Sequence, residues 1–413
     1  MATDVSALST YANVTREAFR KNVEYAGNKS YWLFNNLKLD PQKHAGESLV
    51  YVPLQTQLPE SATFSAEAAA DPNAIQPAFV KGSLYIKKLL AIMKYNEEIV
   101  QLNRGEEAII KDLLNLRLGT KAVYDLTREF SLHTPGNGVL GQATGAASGH
   151  TITVGSARWF RVGMVIDGYH AASQDLNSAA ITNVDLSANT ITVTDPAGDI
   201  ASVNSDTKFF IEDTFVNGAA ISATRFTNGI ETICKDTDPD YGDFMGLDRD
   251  TYAYAKATVK YGAVPATNEA FTLERLYELL DLLDVNVGPE YMPTFGYCDN
   301  SVYRAIYNCF RDEQQPTVFM PEKDGIPSSL GFQYGTKMIK IYKSRFAAPN
   351  TLYIPNTSHI IKYTGGAEGW DNYAGAIQKY VGYQQFYETY RGWINYGTDF
   401  PQSNGALFDI TGA

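Results

Sequence analysis

The 413-residue sequence predicts an α+β protein with a small all-β barrel set into it. Three observations lead there. The segments "GESLVYVPLQ" and "AFVKGSLYIKK" alternate apolar and polar residues as strands do. A long helical repeat follows, with Ile109, Leu116, Val123 and Phe130 seven residues apart and Leu113 between the first two. Then, from about His150 to Asp213, short strands recur between turns: "TITV", "GMVID", "AAITNVDL", "NTITVTD" and "TKFFIED". That rhythm is the mark of a small barrel or sandwich.

Residues 1–45 suit one or two short amphipathic helices, with Phe19, Val23 and Tyr31 on apolar faces. They hold too few large apolar residues to fold alone. Residues 46–93 read as two strands joined by "TQLPESATFSAEAAADPNAIQP", an extended hairpin. A lone hairpin is marginal in water, and a long loop inside a folded chain is usually functional. The hairpin is therefore expected to rest on another surface.

Residues 94–142 carry the helix, expected from Glu106 to Phe130 and roughly 35–40 Å long at 1.5 Å per residue. The Pro and Gly of "HTPGNG" stop it. Residues 143–216 form the barrel module, bounded by the small-residue runs "GQATGAASG" and "NGAAISATRFTNGI".

Residues 217–375 return to mixed α/β. "FTLERLYELLDLLD" places Leu273, Leu276, Leu280 and Leu283 on one helical face behind Thr272 as N-cap. "PTFGYCDNSVYRAIYNCF" reads as strand, turn and helix, with Asp299 to Ser301 supplying the cap, and "GTKMIKIYKS" and "NTLYIPN" read as strands. Residues 376–413 are Gln- and Tyr-rich and strand-like.

Hydrophobic residues make up 44% and charged residues 19%, which suits a packed core. The net charge of −12 argues against a broad nucleic-acid-binding surface, which needs Lys and Arg to neutralise phosphates. The 27 Tyr residues pair an apolar ring with a polar tip and suit subunit contacts. Cys234, Cys298 and Cys309 show neither CxxC nor zinc spacing, so free thiols in a reducing compartment are expected. No stretch reaches 18 apolar residues and no secretory leader is visible, so a soluble chain made in the cytoplasm is expected.

No catalytic constellation is legible. The five His residues (His44, His133, His150, His170 and His359) read as turn or loop-edge residues, and no GxSxG, Walker loop or GxGxxG occurs. No catalytic residue and no cofactor is expected. One metal candidate stands out: in "DTDPDYGD", Asp236, Asp238 and Asp240 match positions 1, 3 and 5 of a calcium loop. Tyr241 then replaces the required Gly and Leu247 the bidentate Glu, so a solvated acidic turn is the competing reading. The pairs Glu97/Glu98 and Glu106/Glu107 suit the positive end of the helix dipole.

The order of parts carries a resemblance. "FSLHTPGNGVLG" resembles a Gly/Pro exit from a spine helix. "FMGLDRDTYAYAKATV" is similar to a coat-protein phrase built on Gly246, Arg249 and Val259. "SLGFQYGTKMIKIYKSRFAAPNTLYIPN" and "YRGWINYGTDFPQSNGALFDI" resemble compact-domain and C-terminal segments of the same group. Together they resemble the major capsid proteins of tailed bacteriophages, the Hong Kong 97-type fold. The resemblance spans nearly the whole chain and implies an N-arm, an E-loop hairpin, a spine helix, and P- and A-domains. The barrel is absent from the minimal fold, which makes it an inserted domain.

The resemblance implies self-assembly through pentamers and hexamers into an icosahedral shell enclosing double-stranded DNA, with no enzymatic activity. The shell would form in the host bacterial cytoplasm and end in the virion. Leu49, Tyr51, Phe79 and Tyr85 are the expected contacts of the arm with a neighbouring subunit. Residues 1–45 leave no room for an internal scaffold, so a scaffolding protein is an expected partner, with a portal and, in some assemblies, a decoration protein. Some relatives crosslink through Lys and Asn. Lys81 and Lys87 lie near the arm, but no partner Asn is identifiable, and exposed edge lysines explain them. Two other readings stay open: an encapsulin-like cellular compartment, and a secreted enzyme or adhesin with a binding barrel.

Overall fold

The computed structural model describes residues 32–39, 49–58, 76–96, 106–170, 173–194, 198–214, 226–239, 242–264, 267–312, 318–320, 329–366, 368–370, 378–379 and 385–412. The helices expected around Phe19, Val23 and Tyr31 lie outside these residues, as does Asp240.

The first sheet is organised by the C-terminal segment. Strand β20 (Gln385–Thr398) pairs along one edge with β4 (Lys87–Asn96), through ten cross-strand pairs from Gln385 opposite Asn96 to Ile394 opposite Lys87. Its other edge takes β17 (Ile360–Thr364), β18 (Gly369–Trp370) and β19 (Gln378–Lys379). A short N-terminal strand, β1 (Lys38–Leu39), adds in parallel to β17.

The long helix, α2 (Glu106–His133), lies across one face of this sheet. Tyr124 meets Tyr390 edge-on at 4.8 Å, and Arg117 donates to both oxygens of Glu388 at 2.7 and 2.5 Å. Gly392 sits beneath the Tyr124 hydroxyl, where a Cβ would collide with it. The row of residues seven apart is buried only in part: Phe130 is 2% exposed, whereas Val123 is 50% exposed. The last turns run between the sheet and two further layers, so Tyr124, Leu126, Phe130 and Leu132 are buried on different sides. A helix enclosed on most sides loses the amphipathic pattern on which that expectation rested.

Glu129, 1% exposed, anchors the N-terminal segment to this helix. Its carboxylate accepts the Leu33 and Phe34 amides of helix α1 (Trp32–Asn36) at 3.0 and 2.9 Å. Lys362 donates to the Phe34 carbonyl at 3.0 Å, and the Arg128 guanidinium lies 3.8 Å from the centre of the Phe34 ring.

Between Val139 and Ile211 six strands form a second sheet: β5 (Val139–Gln142), β6 (Thr151–Thr153), β7 (Val165–His170), β8 (Ser173–Asp185), β9 (Thr190–Val193) and β10 (Lys208–Ile211). Their order is β5-β10-β7-β8-β9-β6, and an Ala143–Val154 bridge joins the two ends into a closed barrel. Ile152, Ile166, Leu176, Ile191 and Phe209, all 0% exposed, fill it. The barrel is bound to the rest of the chain by an aromatic joint. Phe130 touches Trp159, Phe226 and Phe346 edge-on at 5.6, 5.7 and 6.5 Å. Trp159 donates to the Phe346 carbonyl at 2.9 Å and Arg158 to that of Ala347.

A third sheet takes the order β11-β21-β16-β12-β15-β14-β13, from β11 (Thr258–Lys260), β12 (Phe295–Cys298), β13 (Val318–Met320), β14 (Ser329–Tyr334), β15 (Lys337–Lys343), β16 (Leu352–Ile354) and β21 (Gly405–Leu407). Helix α4 (Leu273–Val287) follows the expected face: Leu273, Leu276, Leu280 and Leu283 are buried, and the Thr272 hydroxyl accepts the Arg275 amide. The Asp299 carboxylate caps helix α5 (Asn300–Asp312) by accepting the Val302 amide at 3.1 Å. Helix α3 (Ile230–Ile233) is a single short turn packed near the end of α2.

The layer between α2 and the first sheet gives a pH prediction. Burial first, then the nearby Glu388, pushes Tyr95 up to about 12, while burial followed by Glu368 does the same for Tyr390. A phenol raised above its unfolded value of about 10 holds its proton longer when folded. Its contribution is therefore intact below pH 10 and is lost as pH rises through the folded value. The urea midpoint should fall between about pH 10 and 12, and less so in Tyr390→Phe. A midpoint equal at both ends of that range would contradict this coupling.

Candidate functional site

Strands β2 (Leu49–Gln57) and β3 (Ala78–Tyr85) form a separate antiparallel hairpin. Leu49 lies opposite Tyr85, Tyr51 opposite Ser83, Pro53 opposite Lys81, and Gln55 opposite Phe79. Because side chains alternate with period two, those residues share one face and Val50, Val52, Leu54 and Leu84 share the other.

The two faces meet different surroundings. Val50, Val52, Leu54 and Leu84 are each at most 4% exposed, in a core that also holds Phe244, Met245, Tyr363 and Tyr396. The expectation that the hairpin rests on another surface is met on this face by the core of its own chain. On the outer face Tyr51 is 52%, Phe79 63% and Tyr85 60% exposed, and Leu49 is half-buried. The structure therefore gathers all four residues singled out from sequence onto one face. Lys81 lies there too, its ammonium 3.2 Å from the centre of the Tyr51 ring.

What aims the hairpin is a loop that pattern reading does not find. The Met245 carbonyl accepts the Ser83 amide at 2.7 Å, and the Met245 side chain sits under Gly82 and against Gly397. Met245 itself adopts a left-handed φ of 55°. Gly246 follows at φ 66°, where a Cβ would collide with the Ser83 hydroxyl, so only glycine fits both the turn and the contact.

Arg249 holds that loop and is 0% exposed. It donates to the carbonyls of Ala255, Thr237 and Thr232 at 3.1, 2.7 and 2.9 Å, with its guanidinium 4.4 Å from the centre of the Phe244 ring. Asp238 completes the knot by accepting the Phe244 and Arg249 amides at 3.2 and 2.9 Å. The only sequence signal for this arrangement is the phrase containing Gly246 and Arg249, and that phrase does not disclose the mechanism.

Of the metal candidate, Asp238 is engaged by these amides and Asp236 accepts from the Tyr261 hydroxyl at 2.6 Å. Asp240 lies outside the described residues. Among the described residues no group of three or more His, Cys, Asp or Glu is placed to hold a metal.

His133, expected at a loop edge, is buried in the last turn of α2, 3.6 Å from Glu129 and 3.4 Å from the Ser344 hydroxyl. His359 pairs with Asp399 at 2.8 Å. Cys234 and Cys298 are buried and Cys309 is half-buried, all three as free thiols, and burial pushes the first two thiols up.

No family model and no curated protein matches the sequence. Solved structures do. The capsid asymmetric unit of cyanophage A-1(L) aligns over 96% of this chain and 98% of its own, with a TM-score of 0.56 at 12% identity. The chain has the fold of a phage capsid protein. The capsid of a native GTA particle (TM-score 0.49, 8% identity, 95% of this chain and 94% of that one) is also similar. So is the holo-SrpI encapsulin complex from Synechococcus elongatus (0.48, 10%, 98% and 96%).

The buried arginine yields a stability prediction. Arg249→Met removes three charge-assisted bonds and leaves three buried carbonyls without that donor, for a loss of about 3 kcal/mol or more. Denaturant unfolding should show the lower midpoint, and the hairpin amides should exchange faster than the barrel amides. A variant as stable as wild type would remove Arg249 from this role.

Proposed function

We propose that this chain is the major capsid protein of a tailed bacteriophage, assembling through pentamers and hexamers into an icosahedral shell around double-stranded DNA. In the Hong Kong 97-type arrangement the hairpin is the E-loop and α2 the spine helix. The sheet around β20 belongs to the P-domain and the seven-stranded sheet to the A-domain. The barrel is an insertion: the chain leaves the core beside Phe130 and returns at Phe226, whose ring lies 5.7 Å from that of Phe130. Ends that close let a core fold around an inserted module.

The observation that carries the reading is the hairpin with two apolar faces. One face has its own chain beneath it, while the other exposes Tyr51, Phe79 and Tyr85. Full burial of such rings contributes roughly 1.5–3 kcal/mol each, a strong incentive to meet a second copy. Contacts between unlike surfaces of identical subunits close into rings, and many weak contacts per subunit give avidity. The function is structural rather than catalytic, with a scaffolding protein, a portal and a decoration protein as the partners of such an assembly and the virion as its destination.

Expression with its scaffolding partner should give megadalton particles by light scattering and electron microscopy. Nuclease-protected DNA inside particles made during infection would separate a virion from a compartment holding protein cargo. The double variant Tyr51→Asp/Phe79→Asp should keep the wild-type melting curve, since both side chains are exposed, and should form no particles. A stable wild-type monomer under every assembly condition would refute the shell reading.

A further inference from the structure

We propose that a cleft of about 480 Å³ on the exposed side of β12 and β15 binds a nucleotide, with its base against the Phe295–Tyr342 ring pair and its phosphate at Lys340. The inference goes beyond the shell reading and does not depend on it, because the cleft lies within one chain.

Strand pairing builds the floor. Phe295 on β12 lies opposite Lys340 on β15, and Tyr342 is two residues further along, so the three side chains share one face of the sheet. Ile339 and Ile341, both 0% exposed, take the other face, in the core they share with α4 and α5. The Phe295 and Tyr342 rings lie within 27° of parallel with centres 5.1 Å apart, which makes a flat apolar wall. Met338, 36% exposed, extends that wall along β15.

The rim comes from three separate segments. Thr294 precedes β12, and its carbonyl accepts the Lys340 amide at 3.0 Å. Asn36 ends α1, which Glu129 holds by two amides. Thr357 follows Asn356, whose backbone amide donates to Asn404 Oδ1 at 3.0 Å and whose side chain donates to the Tyr291 carbonyl at 2.8 Å. Each wall is thus fixed by hydrogen bonds of its own, and a preformed cleft loses little freedom when it is filled.

Charge decides the class of ligand. None of the seven residues lining the cleft is Asp or Glu, in a chain with 46 acidic and 34 basic residues. Lys340 is half-buried, and among the described residues no carboxylate pairs with it. Its neighbour Lys337 is engaged, donating to the Glu290 carbonyl at 3.1 Å. A half-buried ammonium among hydroxyl and amide groups favours an anion with several acceptor oxygens, as phosphate has. The ring wall adds a demand that bare phosphate does not meet, a flat π-system to stack on it. A nucleotide meets both demands, free or as one unit of a single strand. A duplex does not, because its bases stay inside the stack.

Calorimetric titration of the full chain with deoxyadenosine monophosphate should show saturable binding at one site per chain. Deoxyadenosine and inorganic phosphate should each bind at least about tenfold more weakly, since each lacks one half of the ligand. Lys340→Gln should erase the advantage of the nucleotide over the nucleoside. Tyr342→Leu should shrink its advantage over phosphate. Lys343→Gln, which changes an exposed lysine on the opposite alternation of β15, should bind the nucleotide as wild type does. Melting curves check that the variants fold, and the comparison of ligands on wild-type protein needs no variant.

Competition with a short single-stranded oligodeoxyadenylate separates the two sources. Displacement at lower nucleotide concentration than the monophosphate needs would assign the cleft to a unit of a strand, and weaker displacement would assign it to the free nucleotide; either supports the site. No saturable nucleotide binding, phosphate that binds as tightly as the nucleotide, unchanged affinity in Lys340→Gln, or a duplex that competes as well as the monophosphate would overturn it.

Discussion

Ten cross-strand pairs tie residues 87–96 to residues 385–394, and the other layers of the fold lean on that long-range pairing. Alternation along β20 sends Glu388, Tyr390 and Ile394 toward α2, and Tyr387, Thr389, Arg391 and Trp393 the opposite way. The first set gives the helix a bed. The second meets the hairpin at one end and faces outward at the other. A slip of one residue would exchange the two sets and place Arg391 and Trp393 under the helix, so the register is fixed by what each face must meet.

Several charged groups serve the backbone of irregular segments, while others, such as Arg117 with Glu388 and Arg128 with Asp125, pair with one another. Arg249 donates to three carbonyls, and Glu129 accepts two amides from the start of α1. Asp238 and Asp299 each gather amides from a turn. Burying such a charge is costly unless its hydrogen bonds are made, so each group strongly favours the one loop conformation that makes them. This is how irregular segments such as 236–256 hold a definite shape and can aim a hairpin that has only two strands of its own.

The legible parts of the sequence were those with local causes. The Leu face and Thr272 cap of α4 depend on spacing and a hydroxyl, and both appear in the structure as read. The hairpin strands follow from alternation, and the same alternation places Tyr51, Phe79 and Tyr85 on one exposed face. The illegible parts had remote causes. Val123 fits a helical stripe in sequence yet is exposed, because two further layers meet the end of α2 and change which sides are covered. The acid run at Asp236 looked like a metal loop because position alone cannot tell a ligand from a turn cap. In the fold Asp238 is occupied by amides from residues 6 and 11 positions away. Strand β5 was hidden by its Gly-rich surroundings, and its partner β10 lies more than 60 residues downstream.

Net charge sets a further condition on any assembly of this chain. Copies of a chain at −12 repel one another at long range, which opposes indiscriminate clustering. Attraction must then come from surfaces that act only at contact. The outer hairpin face offers such a surface in the exposed rings of Tyr51, Phe79 and Tyr85. Screening by salt shortens the repulsion to about 10 Å or less at 0.1 M and above, while apolar burial is little affected. Association would therefore strengthen with moderate salt wherever apolar contact governs the rate. An acidic chain thus couples its solubility to its charge: the repulsion that keeps copies apart leaves attraction to apolar surfaces that act only at contact.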